Sequence, residues 1–240
     1  MKRTEQSKYP LVWRKDDFYI KIYCSIPNIA TGILIQTEKA TFLVDPGDGI
    51  LRDLNKDVGA VAILKVSDIF ISHGHHDHLG GLWSLLTYLS VMKKKTDLNI
   101  YYPKGCKEIK SIYNAFIKVY GKDLSYKINL KQIDNSKSFK KSLVTVKPFK
   151  VNHREILDNG NTSKPIPSLG FKFIYNQRSI CYGGDTAYCK TLLENSKDSD
   201  LAIIEAGAQD EATSELHLTV NQARQIGKLA KDYFLVHVPE

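Results

Sequence analysis

Four of the seven histidines in this chain fall within six residues, in Ser72-His73-Gly74-His75-His76-Asp77-His78-Leu79-Gly80-Gly81. Neutral imidazole and carboxylate are the donors suited to zinc and similar divalent cations, so this stretch concentrates metal ligands. The other histidines are His153, His217 and His237, and an isolated acid, Asp185, stands in Gly183-Gly184-Asp185-Thr186. Each lies at or next to the end of an apolar run. Singly, each has an ordinary explanation: a lone His is commonly a surface or core residue, and Asp185 could cap a helix. Together they put His and Asp at strand C-termini on one edge, where α/β sheets assemble their sites.

The elements that must position these residues are legible as short apolar runs bounded by turn residues. Strands are predicted at 18–23, 32–36 and 41–44, the last broken by Asp45-Pro46-Gly47-Asp48-Gly49. The run at 61–66 fits either a strand or the end of a helix. A strand at 69–71 feeds the His-rich turn, where Gly74 serves a tight turn and Gly80 and Gly81 serve the entry into the next helix. Helices are predicted at 80–92 and 108–120, with a strand between them at 98–102. Further strands are expected at 143–151, 170–175, 179–182 and 201–205, and 152–168 reads as a polar loop. Thr219, with Gln222 three residues on, caps a helix over 219–231, and a strand at 233–238 follows. Strands, helices, strands, helix, strand suits a layered α/β or α+β fold with mixed sheets, taken as one domain over 1–240.

Composition narrows the class. The 240 residues are 42% hydrophobic and 25% charged, ordinary globular values that exclude disordered and fibrous classes. The net charge of +8 permits an anionic partner, but 28 of the 34 basic residues are Lys, and Arg is the better phosphate fork. With no long apolar stretch and no signal-like N-terminus, the expectation is a cytoplasmic protein with no membrane segment. Cys24, Cys106, Cys181 and Cys189 form no CxxC pair and are expected to be reduced.

The pattern H-x-H-x-D-H, a distant His, an Asp in a G-D-T turn and a His in the last strand resembles the metallo-β-lactamase superfamily, across roughly 32–238. That resemblance implies an αββα sandwich, two mixed β-sheets flanked by helices. It implies two divalent ions sharing a hydroxide, one held by His73, His75 and His153, the other by Asp77, His78 and His237, with Asp185 bridging. Asp45 would support the site from behind, Asp77 would also orient the nucleophile, and His76 would not ligate. Zn²⁺ is the expected ion, with Mn²⁺ and Fe²⁺ as alternatives.

Within the superfamily the chain is most similar to ribonuclease Z and related phosphodiesterases, through Gly183-Gly184-Asp185-Thr186, Ile204-Glu205-Ala206-Gly207 and His217-Leu218-Thr219-Val220-Asn221-Gln222-Ala223. The resemblance gives His217 the role of proton donor to the leaving oxygen, oriented by Glu205. It points to RNA or a small or cyclic phosphodiester as substrate, and to a homodimer, since relatives often form one. The chain departs from that family in one respect: only 32 residues separate His153 from Asp185, too few for the family's tRNA-gripping arm. Competing expectations are a thiolester, lactone or other ester hydrolase of the same fold, and a non-catalytic scaffold.

Overall fold

A computed structural model describes residues 9–156, 163–208 and 215–238. The first sheet is built from β1 (Leu11–Lys15), β2 (Phe18–Ile26), β3 (Ala30–Gln36), β4 (Thr41–Val44), β5 (Asp68–Phe70), β6 (Leu98–Pro103) and β7 (Ile128–Ile133), in that spatial order. Strands β1 to β4 form an antiparallel meander, and β4 to β7 are parallel. The parallel part needs crossovers. They are supplied by α1 (Ile50–Asp57), α2 (Gly59–Leu64), the single turn α3 (His76–Leu79), α4 (Leu82–Val91) and α5 (Lys107–Tyr120).

The second sheet contains β8 (Phe139–Lys141), β9 (Val144–Lys150), β12 (Leu169–Tyr175), β13 (Arg178–Tyr182), β14 (Leu201–Glu205) and β15 (Tyr233–Val236). Between β9 and β12 a separate two-stranded hairpin joins β10 (Arg154–Ile156) to β11 (Ser163–Pro165). Helices α6 (Lys190–Ser196) and α7 (Val220–Gly227) complete the chain.

Side-chain alternation sorts each central strand between two layers. Ile33, Ile35, Phe42, Val44 and Phe70 face Phe171, Phe173, Ile180 and Ile203 of the other sheet, in one buried cluster. Leu34, Leu43 and Ile69 face the opposite way, onto Leu54 of α1, Leu82, Leu85, Leu86 and Leu89 of α4 and Phe116 of α5. Cys181, Ala202 and Ile204 pack against Leu192 of α6 and Ala223 and Ile226 of α7. Each such large side chain contributes about 1.5–3 kcal/mol relative to exposure. The result is the expected αββα sandwich.

Several expectations need correction. The polar stretch 152–168 is not all loop: it contains β10 and β11, whose pairing carries too little apolar burial to show in the sequence, and its residues 157–162 lie outside the described set. The ambiguous run at 61–66 is the end of a helix, as its second reading allowed: residues 61–64 close α2, and Lys65 caps it. Asp185 caps no helix, because α6 begins at Lys190 with Cys189 as its cap. Helix α7 stops at Gly227, where the ring of Tyr233 lies so close that an added Cβ would sit 2.5 Å from it. The last strand ends at Val236, because His237 turns into the left-handed region with φ 57°. The Thr219 capping box is present, with the Thr219 hydroxyl accepting from Gln222 N and the Gln222 side chain from Thr219 N. Among the described residues no helix is long and apolar enough to cross a membrane.

Candidate metal centre

The C-terminal ends of six strands converge. Asp45 follows β4, Ser72 and His73 follow β5, His153 follows β9, Asp185 follows β13, Glu205 closes β14 and His237 follows β15. Asp45 and His237 hold positive φ (46° and 57°), a region that Asp and His enter more readily than most residues. The Asp45 loop also presses directly on the His-rich turn. A Cβ on Gly47 would lie 2.1 Å from the Asp77 carbonyl, and one on Gly81 would lie 2.2 Å from the Gly47 carbonyl. Only glycine permits that approach.

These strand ends bring together all seven residues expected to bind metal. His73, His75, His153 and Asp185 form one group, and Asp77, His78, Asp185 and His237 a second; within each group one donor atom per residue lies within 4.8 Å of the others. Asp185 belongs to both. Its Oδ1 is 3.3 Å from His78 Nε2, and its Oδ2 is 3.3 Å from His237 Nε2 and 3.9 Å from His73 Nε2. Asp77 Oδ2 lies 3.6 Å from His78 Nε2 and 3.7 Å from His237 Nε2. His75 Nδ1 and His153 Nε2 face each other at 3.1 Å. His76 is exposed and in neither group.

The arrangement fits divalent cations on two counts. The Nε2 atoms of His73 and His78 are fully buried yet have no hydrogen-bond partner, a state that costs about 1–3 kcal/mol per group unless a cation takes the lone pair. The opposite ring nitrogens are committed elsewhere: His73 Nδ1 to Ser72 Oγ at 3.0 Å, His78 Nδ1 to Asp45 Oδ2 at 2.9 Å and His153 Nδ1 to the Leu216 carbonyl at 3.0 Å. Such partners fix tautomer and ring orientation in metal-binding histidines.

Protonation follows the same logic. Burial drives His73 well below the usual imidazole range, lowers His75 and His237, and brings His153 down to about 4. Neutral imidazole is the form that ligates. Burial would raise the Asp185 carboxyl, but His78 and His237 outweigh it and hold the carboxyl well below the usual range. Burial likewise opposes charge on His78, yet without a cation Asp185 and Asp45 raise it well above its ordinary value; a cation at Nε2 would take the place of that proton.

A second constellation borders the first. Glu205 is buried, and its Oε1 accepts from Thr186 N at 2.9 Å, His217 Nδ1 at 3.1 Å and Leu218 N at 3.2 Å; Oε2 accepts from Gly207 N at 2.6 Å. The His217 ring stands 5.4 Å from that of His153 and 5.5 Å from that of His237, centroid to centroid, beside both groups. Burial works against a charged His217, but the hydrogen bond and charge of Glu205 raise its pKa above the ordinary value.

Sequence reasoning missed three contributors. Ser72 could have been noticed as the neighbour of His73. The backbone amide of Asn28, which donates to Asp77 Oδ2 at 3.2 Å, and Tyr182, which reaches Asp45 from the other sheet, leave no local signal.

A profile described as the beta-lactamase superfamily domain matches residues 40–237, and the chain belongs to that superfamily. It is a metal-dependent hydrolase of that class, with His/Asp clusters that bind divalent metal. More particularly, it is similar to ribonuclease Z of Methanosarcina mazei, 25% identical over 251 residues that cover 87% of this chain and 81% of that protein. Among solved structures it is similar to the short form of human tRNase Z, with TM-score 0.74 and 23% identity over 92% of this chain and 93% of that one. It also resembles the metallo-β-lactamase fold protein YhfI from Bacillus subtilis, with TM-score 0.72 and 20% identity over 94% and 88% of the two chains.

Proposed function

We propose that the chain is a phosphodiesterase of the ribonuclease Z type, acting on RNA or on a small or cyclic phosphodiester. The observation that carries this reading is the His217–Glu205 pair, 3.1 Å apart, set beside two His/Asp groups that share one carboxylate. An ester, lactone or thiolester hydrolase of this fold would have no use for a second, separately oriented imidazole. The names of the curated relatives agree with the reading.

His73, His75, His153 and Asp185 would hold one cation, and Asp77, His78, Asp185 and His237 the other. Five imidazoles and two carboxylates suit Zn²⁺ best. When bound, such ions lower the pKa of water to about 7 and neutralise phosphoryl oxygens. Asp77 supplies an acceptor that orients the attacking water. His217, its Nδ1 committed to Glu205, carries the proton on Nε2 that goes to the leaving oxygen, and Glu205 favours that protonated form. Asp45 holds His78 from behind. Between His153 and Asp185 the described residues form β10, β11, β12 and β13, which supports a substrate gripped without the family's arm. The core cluster shared by both sheets supports one domain over 1–240.

The test is a substrate panel assayed with Zn²⁺, Mn²⁺ and Fe²⁺ in turn: a precursor tRNA, a short RNA, a cyclic nucleotide, bis-p-nitrophenyl phosphate, a thiolester and a lactone. Phosphodiester cleavage should exceed ester cleavage by orders of magnitude. Preference for the thiolester or lactone would overturn the proposal.

A further inference from the structure

Asp45 is fully buried and accepts four hydrogen bonds: Ser72 N at 2.7 Å on Oδ1, and on Oδ2 Ser72 Oγ at 2.6 Å, His78 Nδ1 at 2.9 Å and the Tyr182 hydroxyl at 2.6 Å. The donors come from β5's end, from α3 and, in the case of Tyr182, from the end of β13 in the second sheet. A serine hydroxyl has one proton. Given to Asp45, it leaves Ser72 Oγ as the acceptor for His73 Nδ1–H at 3.0 Å. His78 Nδ1–H donates to the same carboxylate directly. Both rings are thereby set in the tautomer whose bare Nε2 points into the clusters, and among the described residues these are the two buried histidine Nε2 atoms that lack a hydrogen-bond partner. His73 belongs to one cluster and His78 to the other.

We infer that Tyr182 is a positioning residue for both metal clusters at once: its hydroxyl, donated across the core to Asp45, fixes one histidine of each. The inference rests on the metal-binding reading above. Tyr182 packs in the core cluster between the sheets, so its ring is held in place independently of the hydroxyl. Burial, aided by Asp45 and Asp185, pushes its pKa well above the ordinary phenol value, so the hydroxyl keeps its proton to donate. Without it, one donor to a fully buried carboxylate is lost, and the carboxylate is free to rotate away from Ser72 and His78. Because Ser72 and His78 hang on the same group, the loss reaches both clusters together. Substituting a ligand other than the shared Asp185 would weaken one cluster first.

The experiment titrates Zn²⁺ into metal-stripped protein against a chromophoric chelator and follows thermal unfolding of the stripped protein in parallel. Tyr182→Phe should weaken both zinc equivalents, each on the order of tenfold. Tyr175→Phe is the control, because its hydroxyl also donates to a carboxylate, that of Asp17, at the far end of β12. It should lower the melting temperature without changing zinc affinity. Ser72→Ala removes another donor to the same carboxylate and also the acceptor of His73 Nδ1, so it should weaken both equivalents, the His73 one more, which keeps the relay testable should Tyr182→Phe fail to fold. Wild-type affinity in Tyr182→Phe, or equal weakening in Tyr175→Phe, would overturn the inference alone. A wild-type protein that takes up no zinc would overturn the metal reading and the inference with it.

Discussion

Replacing Glu205 with Gln removes one charge and almost no volume. Oε1 accepts from three donors and Oε2 from one, Gly207 N at 2.6 Å. The amide introduced in Glu205→Gln would therefore turn its carbonyl toward Thr186, His217 and Leu218 and set its NH₂ against Gly207 N–H. The reverse orientation would confront three donors. One unsatisfied amide costs about 1–3 kcal/mol, which for a chain of 240 residues lowers the melting temperature by about 2–12 °C. The variant should fold and keep its metal. The functional consequence is separate. The Glu205 hydrogen bond and charge raise the His217 pKa, and the proton donor must be protonated, so activity is lost as pH rises through that pKa. Glu205→Gln should therefore move the alkaline limb of the kcat/KM profile to lower pH on a phosphodiester with a poor leaving group. A limb that stays in place, alongside the expected loss of stability, would show that Glu205 is structural only and would refute the orientation argument.

Other outcomes follow from the same geometry. His217→Ala should retain its metal yet lose on the order of 10²–10⁴ in rate on an alkyl phosphodiester, and much less on a p-nitrophenyl one, in steady-state assays. Asp185→Ala should fall below one metal per chain by elemental analysis, because the carboxylate serves both clusters. Lys94 is 1% exposed and donates to the Leu64 and Val66 carbonyls at 2.7 and 2.8 Å and to Thr96 Oγ1 at 2.9 Å. Lys94→Met should cost about 1–3 kcal/mol at pH 7 in urea unfolding, because those acceptors lose their donor. Burial lowers the Lys94 pKa to about 8, below its unfolded value, so the unfolded chain binds more protons between there and about pH 10.4. Wild-type stability should gain about 2–3 kcal/mol relative to Lys94→Met across that window, and nothing below it.

The residues of the two His/Asp clusters were legible because metal chemistry demands particular residue types and the strand ends are bounded by strong apolar runs, as at Ile69-Phe70-Ile71 and Leu201 to Glu205. The elements that escaped are those with weak local signals. Helix α1 buries only Ile50 and Leu54, one turn apart beside a Gly-rich loop. Strand β1 buries only Trp13, and β10 and β11 bury nothing fully. The roles of Tyr182 and Asn28 depend on contacts 137 and 49 residues away in the chain, which no periodicity encodes. Gly47 and Gly81 were visible as glycines, but the reason for them, a mutual approach of two backbones, exists only in the fold.

The two-cation centre can be tested with crystals grown with zinc and measured on both sides of the zinc absorption edge. Two anomalous peaks should appear, one among His73, His75, His153 and Asp185, the other among Asp77, His78, Asp185 and His237, with Asp185 touching both. Crystals without zinc at these positions, or with His153, Asp185 and His237 turned away from the His73–His78 turn, would contradict it.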